Sequence, residues 1–265
     1  MTLNHHLRAF NTAKDSENRM HDDTVAQRYG FVGGLVPGVE VYAYMTHPAV
    51  AQWGPDWFDR GWLSARFNQP VYDGDETHIS GTLDADEQMI IDVRVGDKIC
   101  ATGRAGLNAE TAVRRLSNMP EKPLPKADAR PAASFETLPE GMVLGTVGFA
   151  CTPAALSDYR AWVSDDLALY QTDRHVHPGL VLRLANAALK DNVVLGPWIH
   201  VGSTVQHFAP AWVGDQLQAR AQVAGSYEKR GHRFVELDVA VGNAAGLVAE
   251  IRHTAIFEPR QTAAD

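Results

Sequence analysis

Apolar and polar positions along this chain fall into two arrangements, each of which occurs twice. "VEVYAYM" and "LVLRLANAAL" are apolar nearly all round. That pattern predicts helices buried on several sides, over Val39 to Thr46 and Leu180 to Leu189, each opened by a Pro-Gly step. "IDVRV" and "ELDVAV" alternate with period two and predict half-buried strands. "PVYDGD" and "PAWVGD" end in turn residues. Asp97-Lys98 and Asn243-Ala244-Ala245-Gly246 mark hairpin turns before the last long strands, "ICATGRAGL" and "LVAEIRHTAIF". One buried helix followed by an antiparallel meander, twice over, gives an α+β fold in two similar halves.

The halves share residues as well as patterns. "RFNQPVYDGDETHISG" resembles "QHFAPAWVGDQLQARA", with Pro70 and Pro210, Gly74 and Gly214, and Asp75 and Asp215 each 140 positions apart. "LVPGVEVYAYM" pairs with "HVHPGLVLRLAN", which matches Pro37 to Pro178 at an offset of 141 and makes Gly179 the counterpart of Gly38. Matches that stay in order at nearly constant offset indicate two copies of one unit. Between them, Pro120, Pro123, Pro125, Pro131 and Pro139 rule out a continuous helix or central strand. The expected organisation is an N-terminal domain over 1–111, a proline-rich linker over 112–140 and a C-terminal domain over 141–265.

Composition narrows the partners. Apolar content of 45% and charged content of 21% are those of a globular protein, and the formal charge is −8. A nucleic-acid partner needs a basic surface to displace counterions, so none is expected. No run approaches the roughly 18 apolar residues of a membrane helix, and the first residues lack the apolar core of a secretory signal. Cys100 and Cys151 lack metal or redox spacing and read as reduced thiols of a cytoplasmic protein. "GGLVPG" is not a dinucleotide fingerprint, and neither His175-x-His177 nor His5-His6 has a carboxylate at metal-site spacing. No metal or cofactor is expected. Trp53, Trp57 and Trp62, between the first helix and its next strand, are expected to pack a flap over the sheet.

The polar stretch "SENRMHDD", followed by "TVAQRYGFVGGLVPG", carries the candidate chemistry. Locally, Asp22 caps a short helix over Asp23 to Tyr29, and Gly30 stops it. Asn18, His21, Ala26, Gly30-Phe31 and Gly38 also fall in register with a known signature. On these residues, and on "RFNQPVYDGD", the chain resembles the MaoC-like, (R)-specific enoyl-thioester hydratase/dehydratase family in its double-hotdog form. The resemblance covers roughly residues 7–110 and 143–258. It implies two antiparallel sheets, each wrapped around a central helix, and a hydro-lyase acting on an α,β-unsaturated or 3-hydroxyacyl thioester of coenzyme A or a carrier protein, without a cofactor. It also allows a homodimer.

The signature's acid falls on Ser16, with Asp15 and Asp22 nearby, and Arg19 replaces its proline. In the second copy Asp165 keeps the acid position, while Leu167 and Tyr170 replace the asparagine and histidine. The resemblance thus implies His21 as general acid/base, with Asn18 and Ser16 orienting histidine or water. Gly38 and Val39 open the buried helix, where free amides and the helix dipole suit a thioester oxyanion. Thioester hydrolysis on the same scaffold would need a carboxylate near the helix start, where Glu40 is the one acid available. A degenerate acyl-binding or partner subunit is the remaining reading.

Overall fold

The computed structural model describes residues 2–108, 116–172 and 174–260. Ten strands form one antiparallel sheet: β1 (Thr2–Arg8), β2 (Gly61–Phe67), β3 (Glu76–Leu83), β4 (Met89–Val95), β5 (Lys98–Leu107), β6 (Val147–Ala150), β7 (Ile199–His207), β8 (Gln216–Lys229), β9 (His232–Asn243) and β10 (Gly246–Glu258). Their order is β1-β3-β4-β5-β2-β7-β10-β9-β8-β6. The expected pair of sheets is therefore one sheet, joined edge to edge where β2 meets β7 with Leu63 opposite Val205 and Ala65 opposite Ser203. Pairing there satisfies two rows of backbone groups that separate halves would leave open.

Six α-helices accompany the sheet among the described residues: α1 (Asp23–Arg28), α2 (Gly38–Trp53), α3 (Asp56–Arg60), α4 (Pro153–Val163), α5 (Ala168–Thr172) and α6 (Pro178–Lys190). The long α2 and α6 are the two expected buried helices, and they touch each other as well as their own half of the sheet. α2 runs past Thr46 through Pro48 to Trp53. Proline removes one helical hydrogen bond, but Ala49 and Val50 beyond it are buried and hold the last turns against the core. β1 was not foreseen, because "TLNHHLR" is an edge strand with polar residues on its open face. The β4–β5 turn is Gly96-Asp97, with Val95 opposite Lys98, one residue earlier than the sequence suggests. Trp57 on α3 is fully buried against His207 and belongs to the core, and Trp62 is half-buried within β2, so neither ring sits on a flap.

The duplication is visible atom by atom. Tyr72 N donates to Asp75 Oδ2 (2.8 Å) and Trp212 N to Asp215 Oδ2 (2.9 Å). Gly74 and Gly214, at φ +82° and +100°, both need the left-handed backbone glycine permits. Val36 N donates to Val71 O and Val176 N to Ala211 O, each at 2.8 Å. These bonds hold the offset at 140 up to the helix starts, which correct the sequence pairing. The counterpart of Gly38 is Pro178, not Gly179, and proline has no N–H to offer.

The expected boundary at 111/112 lies outside the described residues. Of the expected linker, Ala133 N donates to Val194 O (2.9 Å) and Val194 N to Pro131 O (2.8 Å), so that part is docked on the second half. Both cysteines are free and buried. No helix among the described residues is long and apolar enough to cross a membrane.

Candidate active site

The loop over residues 9–22 is tied down before any side chain reaches the site. Asn11, buried, accepts from Ala13 N (3.0 Å) and donates to His21 O (3.0 Å), while its own amide donates to Asp73 Oδ1 (2.8 Å). Asp22 caps α1 by accepting from Val25 N (3.0 Å), as its sequence position implies.

Asn18 bridges the two halves. Its Oδ1 accepts from Met20 N (3.2 Å) and Trp198 N (3.1 Å), and its Nδ2 donates to Trp198 O (3.0 Å) and to His21 Nε2 (3.1 Å). All of its polar groups are used, so Asn18 positions the loop and the imidazole. His21 Nδ1 lies 2.6 Å from Leu35 O, which accepts only, so Nδ1 carries the proton and Nε2 the lone pair. Burial pushes the His21 pKa down, against smaller upward pulls from the Leu35 bond and the Glu40 charge, and the ring stays neutral at pH 7. Ser16 donates its hydroxyl to Asn18 O (3.3 Å), a bond within the loop and not to the imidazole.

Two cavities meet at His21. The larger, about 870 Å³, lies between the halves, and Ser16, Asn18, His21, Val39, Glu40 and Arg183 are among its walls. The smaller, about 260 Å³, reaches Gly38, Phe67 and His200, and His21, Asn18 and Trp198 border both. At the start of α2 the first bonded amides are those of Glu40 (2.9 Å) and Val41 (3.2 Å), both to Pro37 O. The Gly38 and Val39 amides precede them and are free to face a ligand.

Glu40 is the strongest feature that motif matching passes over. It is fully buried, yet only Oε1 is occupied, by Arg183 Nε (2.8 Å), Arg183 Nη2 and Thr12 Oγ1 (2.8 Å). Oε2 has no partner among the described residues, although Glu40 borders the cavity. Arg183 comes from α6, so the carboxylate and its counter-ion belong to different halves. Removing Arg183 would strand a buried charge. Arg183→Ala is expected to lower stability by about 3 kcal/mol, the low end for such pairs, because the Arg183 side chain is 29% exposed. Urea denaturation checks this. Adding Glu40→Gln should recover part of the loss, and a loss below about 1 kcal/mol would show the pair to be dispensable.

Among the described residues the second copy shows no equivalent site. Tyr170 N donates to Leu167 O (3.0 Å) as His21 N does to Asn18 O (3.2 Å), so the two stretches share a turn contact. The Tyr170 hydroxyl is buried without a partner. Asp165 accepts from His47 Nδ1 (3.0 Å) and His177 Nε2 (3.1 Å). Burial raises the Asp165 pKa, but those bonds and charges outweigh it and hold the carboxyl well below its ordinary value. Gly179 N donates to His177 Nδ1 (3.0 Å), and Pro178 offers no amide. The acid and the helix start are consumed by internal contacts, and the tyrosine hydroxyl is buried. Among the described residues, His5, His47 and Asp166 bring possible ligand atoms within 4.8 Å of one another. The two rings stack at 3.7 Å and 11°, however, so their in-plane lone pairs run nearly parallel and do not converge on one ion.

No protein-family model matches the sequence, and no curated protein matches it either. Solved structures do match in shape. One, described as a MaoC domain protein dehydratase from Chloroflexus aurantiacus, superposes with TM-score 0.67 at 12% identity over 98% of this chain and 95% of that one. A conserved hypothetical protein from Mycobacterium tuberculosis, described as having a double hotdog fold, gives 0.68 at 12% identity over 97% and 95%. A structure described as an oleoyl thioesterase from Lactobacillus plantarum gives 0.54 at 10% identity over 98% of each chain. By fold, the chain is a double hotdog of the kind seen in the MaoC domain dehydratase.

Proposed function

We propose that this protein is an acyl-thioester enzyme with one working site, and that it adds water to, or removes it from, an enoyl or 3-hydroxyacyl thioester of coenzyme A or a carrier protein. The observation that carries this reading is a neutral imidazole of fixed tautomer, His21, which borders the larger cavity beside Val39 and Glu40, whose buried Oε2 has no partner among the described residues, and the smaller cavity beside Gly38. In hydration, water displaces the Asn18 amide from His21 Nε2 and gives its proton to that nitrogen. The water oxygen bonds to C3, the C2–C3 π pair moves toward the thioester carbonyl, and the Gly38 and Val39 amides receive the oxyanion. The imidazolium then returns the proton to C2, so the elements of water are added and His21 is regenerated. Glu40 Oε2 can hold the attacking water. Ser16 lines the cavity as part of the loop rather than replacing the carboxylate.

Glu40 also supports a second reading. A carboxylate at the start of the hotdog helix, with one unpartnered oxygen, can activate water against the thioester carbonyl and release a free thiol. One experiment separates the two. Enoyl thioesters of increasing chain length are incubated with the protein, and loss of conjugated-thioester absorbance and appearance of thiol are followed in parallel. Loss of conjugation without thiol is expected. Thiol release at the same rate would establish hydrolysis, and neither signal, with ligand still bound, would leave a binding protein.

A further inference from the structure

The smaller cavity contains a device that the reaction above does not use. His200 is 6% exposed, and its Nδ1 has no partner. A Cβ on Gly38 would lie 2.9 Å from that nitrogen, so glycine is what lets the helix start and the imidazole share the cavity. On β7, His200 and Ser203 are three residues apart and in a regular strand would face opposite sides. The β7–β10 register pairs Gly202 with Thr254 and His200 with Ala255, which leaves Val201 as an extra residue. That bulge turns His200 to the same face as Ser203.

There His200 Nε2 lies 2.8 Å from Ser203 Oγ, which lies 3.0 Å from His253 Nδ1 on the paired strand. One hydroxyl proton between two imidazoles allows two full arrangements. In one, Ser203 donates to His253, and His253 Nε2 carries a proton. In the other, His253 Nδ1 donates to Ser203, Ser203 donates to His200 Nε2, and His200 Nδ1 carries the proton. His253 Nε2 is buried without a partner in either case. Each arrangement leaves one N–H unpaired, at His253 Nε2 in the first and at His200 Nδ1 in the second. Of the two residues only His200 lines the cavity, so a bound acceptor oxygen satisfies the second arrangement and not the first. His200 then presents an N–H to the cavity. Burial, and then the neighbouring His253, push its pKa well below the ordinary value against a smaller pull from Gly202, so it does so as a neutral ring.

We propose that this cavity is the acyl-group subsite, and that His200 Nδ1–H selects a short acyl group bearing an uncharged acceptor oxygen, a keto or hydroxyl group, beyond the thioester. This rests on the acyl-thioester reading above. A volume of about 260 Å³ holds about nine non-hydrogen atoms at the roughly 30 Å³ a water molecule occupies, the size of a short acyl group. Asn68 and Gln69 add amides to the lining, Val41, Val71 and Ile256 add apolar surface, and no lysine or arginine is present to match a carboxylate.

The test uses two unreactive thioethers of coenzyme A, a saturated six-carbon chain and the same chain with a ketone on the penultimate carbon, titrated calorimetrically. The ketone ligand is expected to bind about tenfold more tightly, the scale of one well-made hydrogen bond. His200→Phe should abolish that advantage, and His200→Asn, whose amide nitrogen takes the Nδ1 position, should keep much of it. With the ketone ligand bound, nitrogen-15 shifts of the unmodified protein should show His200 protonated at Nδ1, which does not depend on any variant folding. Equal binding of the two ligands, a preference that survives His200→Phe, or His200 protonated at Nε2 would overturn the proposal. Failure of both ligands to bind would overturn the thioester reading and this inference with it, whereas a ketone preference without turnover would overturn only the reaction.

Discussion

Replacing His21 with alanine is expected to lower turnover of an enoyl thioester by about 10²–10⁴, the usual contribution of a positioned general acid–base group. The ring's Nδ1 proton is fixed on Leu35 O, which leaves Nε2 as the nitrogen that takes and returns the proton, and His21 borders both cavities. Folding should survive, because the Asn18 bonds to Trp198 and the Asn11 bond to the His21 backbone carbonyl do not involve the ring. Thermal denaturation checks that. Ser16→Ala should change turnover only a few-fold, since the hydroxyl serves the Asn18 carbonyl. Glu40→Gln, which keeps an acceptor for Arg183, tells the two reactions apart. If Glu40→Gln abolishes turnover while His21→Ala is tolerated, the chemistry is carboxylate-driven and the hydration reading fails.

Much of this site could be read from the sequence because it is local. The Asp22 cap, the turns ending at Asp75 and Asp215, and the buried helices each rest on residues a few positions apart. Offsets between the copies were legible for the same reason. They slipped by one at Pro37 and Pro178, where two Pro-Gly steps invite alignment but the strand bonds at Val36 and Val176 set the true register. What stayed hidden depends on contacts between distant segments. Glu40 meets Arg183 across the halves, Asn18 meets Trp198, and His200 reaches Ser203 and His253 only because a bulge shifts one strand. No spacing rule within one segment encodes such pairs. His177, which carries no metal-site spacing, is an N-cap and a partner of Asp165 12 residues away, a role that the His-x-His pair does not show.

The same buried imidazoles should make the protein acid-sensitive. Burial pushes His207 and His253 down to about 3 from an ordinary 6.5. Above pH 6.5 both the folded and unfolded forms are neutral at these sites, and neither histidine alters stability. As pH falls below that, the unfolded chain binds protons that the folded protein refuses until about pH 3, so stability declines throughout the window. Each pH unit costs about 1.4 kcal/mol per histidine. Between pH 6.5 and 4.5 the two together remove about 5 kcal/mol, comparable with the entire stability of many domains. His200 acts in the same direction, and Asp165, held below its ordinary value, adds a further loss once pH drops under 3.8. Urea midpoints measured from pH 7.5 to 4.5 should therefore fall steeply. His207→Phe, which keeps a ring against Trp57, should flatten the slope by about 1.4 kcal/mol per pH unit. A pH-independent midpoint, or a slope that His207→Phe leaves unchanged, would show that these rings are protonated in the folded protein and that burial does not hold them neutral.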